Sequence, residues 1–101
     1  MRWLAIGALL LVSACSVARP PPDATGEEIY QMLCTNCHGD DLSGGIGPAI
    51  GPGSESARQP DAFLEVTILH GRGRMPSFDS SLDDAQLDRL IRYIREKQEG
   101  G

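Results

Sequence analysis

Cys34 and Cys37 stand two residues apart in "LCTNCHG", and His38 follows the second cysteine directly. Three chemistries use residues of these types. A thiol–disulfide centre also spaces its cysteines by two residues, but it expects a parallel sheet, and no stretch of this chain alternates like a strand. A zinc site could draw on Cys34, Cys37, His38 and a distant His70. Adjacent side chains such as Cys37 and His38 point in different directions, however, which makes a tetrahedral set awkward. Covalent haem attachment uses every member of the cluster. Residues three apart on a helical turn project from one side, so both thiols reach the two vinyl groups of one haem, and the next residue is carried to the iron.

An iron held by His38 needs a ligand or an open position on its other face. Met32 lies on the segment leading into the attachment turn and cannot reach around the ring. Met75 lies far downstream in "GRGRMP", a flexible loop long enough to pass to the opposite face, with Pro76 stiffening the chain just after it. Methionine is often a core gap-filler, but arginines, glycine and proline are not core neighbours. Met75 is therefore the expected second ligand, with His70 or an open site as the alternatives. His/Met ligation fills both positions and raises the reduction potential relative to a bis-histidine haem.

Three helical segments would position these groups. Thr25 and Glu28 form a capping-box signature, and Ile29, Met32 and Leu33 share a face of a helix that runs into "CTNCH". A second helix starts near Pro60 and Asp61 and stops at Gly71, a residue suited to a left-handed cap. A third opens with Asp83 and Gln86 as a capping box and Leu82 and Leu87 as a staple; Leu87, Leu90, Ile91 and Ile94 recur on one face. The Gly-, Pro- and Ser-rich stretch between the first two is longer than an unstructured loop in a compact domain, so it is expected to wrap something.

Ahead of these elements, "MRWLAIGALLLVSAC" carries one charge at Arg2 and an apolar run from Trp3 to Val12, too short for a bilayer span of about 20 residues and suited to an export signal. "VSAC" looks like a lipobox, which makes Cys15 a lipidation site; cleavage after Ala18, behind "SVA", is the alternative. The domain reading is a signal peptide at 1–14, a lipidated Cys15 with a Pro-rich tether at 15–24, and a folded domain at 25–99. Such a domain is near the size at which a core needs help from a disulfide, metal or cofactor. The net charge of −5 argues against a nucleic-acid partner.

Taken together, "GEEIYQMLCTNCHG", "IGPAI", "GRGRMPSF" and "LDDAQLDRLIRYIRE" resemble the class I c-type cytochromes. The resemblance implies a small all-α fold of about three helices and long loops around one covalent haem c. It further implies that Gly26, Tyr30 and Tyr93 form the crossing of the first and last helices. By the same resemblance the Pro48 carbonyl accepts a hydrogen bond from the proximal histidine, with Pro52 the less suitable proline, and Leu64 and Ile68 line the haem pocket. The function it implies is electron transfer without catalysis. The carrier would sit on the extracytoplasmic face of a bacterial membrane, periplasm-facing or at the cell surface, and exchange electrons with redox protein partners. The alternative is a gas- or peroxide-binding haem sensor or enzyme with a labile Met75. Arg72 and Arg74 are left between three roles: haem propionates, a docking partner, or plain solvation.

Overall fold

A computed structural model describes residues 19–100. Four α-helices follow one another among these residues: α1 (Gly26–Leu33), α2 (Thr35–His38), α3 (Asp61–His70) and α4 (Asp84–Gly100), with a 3-10 turn at Ser56–Arg58. The fold is mostly helical, and no strand forms among the described residues. α2 is the helical turn on which the Cys34 and Cys37 spacing was read, whereas the 3-10 turn was not anticipated, because an element this short carries no apolar period.

Both expected capping boxes are made. Thr25 Oγ1 accepts from the Glu28 amide at 3.1 Å, and the Thr25 amide donates to Glu28 Oε1 at 2.8 Å. At the start of α4 the Gln86 amide donates to Asp83 Oδ1 at 2.8 Å and the Asp83 amide to Gln86 Oε1 at 2.9 Å. Each box satisfies backbone donors that a helix start otherwise leaves free.

One core joins the helices. Ile29 and Tyr30 of α1, Leu64 and Ile68 of α3, and Leu87, Leu90, Ile91 and Ile94 of α4 are buried in it, with Leu42, Phe78 and Leu82 from the connections. Helices α1 and α4 cross at Gly26, where a Cβ would fall 2.2 Å from the Arg89 carbonyl oxygen and 2.9 Å from Tyr93 Cβ. Only glycine admits that approach. Above the crossing the Tyr30 and Tyr93 rings pack with centroids 5.5 Å apart, tilted by 46°.

The proline run differs from the sequence expectation of a free tether. Gln86 Nε2 donates to the Pro21 carbonyl at 3.0 Å and the Pro20 carbonyl at 3.3 Å, while Arg89 donates to Ala24 at 2.9 Å and Pro22 at 2.8 Å. Pro20 and Ala24 are buried. A proline run has no N–H donors with which to dock itself, so two long polar side chains on α4 fasten residues 20–24 to the fold through their carbonyls. Residues 15–18 of the expected tether, together with Cys15 and the expected leader, lie outside the described residues.

Arg95 and Gln98 do the same for the long loop. Arg95 meets Asp61 at 2.8 Å and the Ser56 carbonyl at 3.2 Å, and Gln98 Nε2 donates to the Ile50 carbonyl at 3.0 Å. The last turns of α4 thereby hold the 50–61 segment in place.

Candidate functional site

The attachment turn is continuous with α1. Cys34 caps α1, its amide donating to the Tyr30 carbonyl at 2.8 Å, and also begins α2, which ends where Gly39 takes φ +85°. The chain then doubles back. Gly44 donates to the His38 carbonyl at 2.7 Å and Gly47 to the Cys37 carbonyl at 2.7 Å, so the glycine-rich loop supplies the donors that the end of a helix lacks. What the loop wraps is the histidine.

That wrapping sets the imidazole. His38 is buried, and its Nδ1 lies 2.8 Å from the Pro48 carbonyl oxygen. A carbonyl cannot donate, so Nδ1 donates to Pro48 and Nε2 is the nitrogen left for a metal, the division of roles seen in metal-ligating histidines. A Cβ on Gly47 would sit 3.1 Å from His38 Cε1, so the backbone closes directly on the ring. Pro52 makes no such contact with His38 among the described hydrogen bonds.

The two thiols are free. Cys34 is buried and belongs to the core cluster, while Cys37 is half-buried. Burial, with a smaller contribution from Cys37, pushes the Cys34 thiol up to about 12. It stays protonated at neutral pH, the opposite of the lowered thiolate of a dithiol redox centre. Zinc fares no better: among the described residues no three His, Cys, Asp or Glu side chains gather closely enough to hold an ion, and His70 is exposed at the end of α3. Two unpaired thiols, a histidine with a free Nε2 and an apolar wall fit a covalently attached haem.

Met75 is placed by the segment after α3. Gly71 takes φ +78° and donates to the Thr67 carbonyl at 2.8 Å, and Phe78 donates to the Ile68 carbonyl at 3.0 Å, so residues 71–78 fold back over the end of α3. Within it Arg72 and Met75 exchange both backbone hydrogen bonds, at 3.1 and 2.9 Å, around Gly73 at φ +59°. Glycine at the first central position with a positive φ marks a tight hairpin turn. The segment expected as a flexible loop is thus a closed turn, and it brings Met75, half-buried, against the core that contains Cys34, Leu64 and Ile68.

Tyr30 was expected at the helix crossing, but its hydroxyl bond and the place of Leu42 were not. The Tyr30 side chain is fully buried, and its hydroxyl donates to the Gly39 carbonyl at 2.6 Å, tying the helix crossing to the end of the attachment turn. Burial and nearby acidic groups push that phenol well above its ordinary range. Leu42 is buried with φ +65°, a conformation that costs a non-glycine residue energy. Its signal was available: it is the one large apolar side chain in "GDDLSGG".

Comparison with known proteins gives a family. Residues 21–94 match the family model described as cytochrome c oxidase, cbb3-type, subunit III. The dihydro-heme d1 dehydrogenase of Pseudomonas aeruginosa is 40% identical over 96 residues, which is 93% of this chain and 19% of that protein. Cytochrome c-551 of Bacillus subtilis is 34% identical over 73 residues, 72% of this chain and 62% of that protein. Among solved structures, the c-type cytochrome NirC superposes with a TM-score of 0.60 at 32% identity, covering 70% of this chain and 85% of that one. The chain thus spans about a fifth of the first relative's length and less than two thirds of the second's.

Proposed function

The chain belongs to the c-type cytochrome family that the cbb3-type subunit III model describes, and from that premise we propose that it is a monohaem electron carrier tethered to a membrane. Its cofactor is a single haem c, which supplies the one-electron couple. In this reading Cys34 and Cys37 would hold the haem through their sulfurs and His38 would hold its iron through Nε2. The Pro48 carbonyl holds the imidazole at its orientation and would raise its basicity. Leu64 and Ile68 would wall the bound group against water, and Met75 would be the second residue to hold the iron. Iron held by two side chains of the chain would favour electron transfer over ligand chemistry.

The observation that carries the reading is the His38–Pro48 hydrogen bond, because it engages Nδ1 and leaves Nε2 as the ring nitrogen able to hold a metal, beside two free thiols. Partners are redox proteins that donate to and accept from the haem. The chain matches a fifth of a dehydrogenase's length, a proportion that suits a relay module working beside larger enzymes.

The export signal at 1–14 and lipidation of Cys15 would place the domain on the extracytoplasmic face of a bacterial membrane. Since residues 20–24 are fastened to α4, residues 16–19 alone would separate lipid from domain, a reach of at most roughly 14 Å.

One sample tests the reading: the full chain made in a bacterial host with haem-maturation and lipoprotein machinery, measured by intact mass and visible spectroscopy. The expected protein is coloured, carries the mass of one haem and of acyl chains at Cys15, and shows a methionine-to-iron charge-transfer band when oxidised. A colourless protein, or iron that stays five-coordinate, would overturn the carrier; haem without acyl mass would overturn the anchor alone.

A further inference from the structure

Among the described residues the arginines are committed to partners, except at the turn that carries Met75. Arg58 pairs with Glu55, Arg92 with Asp88 and Arg95 with Asp61. Arg19 and Arg89 donate to backbone carbonyls of Ser80, Pro22 and Ala24. Arg72 and Arg74 are exposed, and among the described residues neither forms an ion pair. The Arg72 guanidinium lies 5.6 Å from the centre of the Phe63 ring, a contact that holds the side chain while leaving its charge uncompensated. Residues 1–18 contain no aspartate or glutamate that could pair with either.

The turn is also stiff. Reciprocal Arg72–Met75 hydrogen bonds close it around Gly73, so the backbone sets where both arginine side chains leave the turn. A chain of net charge −5 therefore concentrates two free positive charges on the residues flanking its distal methionine.

We propose that the Arg72–Arg74 turn is the docking surface for an electron-transfer partner whose surface carries carboxylates around its own redox centre. The proposal rests on the carrier reading, with Met75 on the iron, which puts this turn within one side chain's length of the haem. At a contact, charges beyond a screening length of about 8–10 Å count for little, so the arginines of the turn weigh more than carboxylates on the far side of the domain. A guanidinium presents its donors as a planar fork that matches a carboxylate, giving orientation as well as attraction. Such complementarity acts mainly on encounter rate and register.

The test uses the reduced haem-loaded protein, oxidised in a stopped-flow mixer by ferricyanide, an anion standing in for carboxylates, and separately by tris(phenanthroline)cobalt(III), a cation. Ionic strength is varied from about 0.1 to about 1 M, where the screening length is about 10 Å or less. Despite the negative net charge, the ferricyanide rate is expected to fall as salt rises. The Arg72→Gln/Arg74→Gln double variant is expected to slow ferricyanide roughly threefold or more at low salt and to speed the cobalt complex.

Opposite movements of the two oxidants are the signature, because a change in reduction potential moves both rates the same way. A ferricyanide rate that rises with salt in the unmodified protein would sink the proposal. So would a double variant that shifts both rates together, the result expected if these arginines instead neutralise haem propionates. Failure of the carrier reading shows itself earlier, as a protein that neither takes up nor yields an electron.

Discussion

The Cα of Gly26 faces the carbonyl oxygen of Arg89 so closely that a methyl group there would fall 2.2 Å from it. The two residues lie near opposite ends of the domain, and their contact lets α1 cross α4 with Tyr30 stacked on Tyr93. Replacing Gly26 with alanine forces the helices apart, and overpacking of this kind costs about 1–3 kcal/mol or more. Thermal unfolding of the haem-loaded Gly26→Ala protein is expected at a clearly lower temperature; an unchanged midpoint would show that the crossing relaxes freely.

Tyr30→Phe keeps the ring and removes the hydroxyl that donates to the Gly39 carbonyl. The half-buried acceptor then keeps only the Leu42 amide, at 3.2 Å, and losing the hydroxyl bond costs about 0.5–1.5 kcal/mol. Urea titration measures the loss. Because Gly39 ends the turn that carries His38, the haem methyl shifts in the proton NMR spectrum of the oxidised protein are expected to move as well. Tyr93→Phe, which leaves that bond intact, is expected to leave them in place.

Arg89→Met leaves the carbonyls of Ala24 and Pro22 without the donor they share. Charged hydrogen bonds contribute about 1.5–3 kcal/mol, so the variant loses part of the stability that the docked proline run provides. A chain started at Thr25 is expected to lose more, since Pro20 and Ala24 are buried against the same helix. Equal stability of the full-length and shortened proteins would return residues 20–24 to the role of a loose linker.

Met75→Ala removes the sulfur from the closed turn without touching its backbone bonds. The oxidised protein is expected to lose the methionine-to-iron band, turn high-spin and bind carbon monoxide rapidly when reduced, with a lower reduction potential. His70→Ala, at an exposed position, is expected to change none of these. If instead His70→Ala abolishes six-coordination, the assignment of the distal ligand passes to the histidine.

Glu55 accepts hydrogen bonds from Arg58 and Gln59, which hold its carboxyl below its ordinary range. A lowered carboxyl stabilises the folded form above its unfolded value and loses that contribution as pH falls through the folded value. Its titration, followed by carboxyl-carbon NMR, is therefore expected below the ordinary glutamate value. Arg58→Ala is expected to return it upward.

How far the residues alone carry the argument depends on the reach of each signal. The attachment turn, both capping boxes, the apolar face of α4 and the span of α3 are written within one or two helical turns, where spacing along the chain is spacing in space. Those features, and the cofactor chemistry of "CTNCH", could be read off directly. Leu42 was missed because one buried side chain in a glycine loop makes no period.

The remaining features need two distant segments at once. Pro21 meets Gln86, Gly26 meets Arg89, and Tyr30 reaches the end of a turn nine residues on. No local pattern could tell that the proline run is docked rather than loose, or that the loop before Met75 closes into a rigid turn with its two arginines unpaired. Local energetics specify elements, because hydrogen bonds and caps form between near neighbours. Which surfaces those elements press together, and which charges are left over, depends on packing summed over the whole chain.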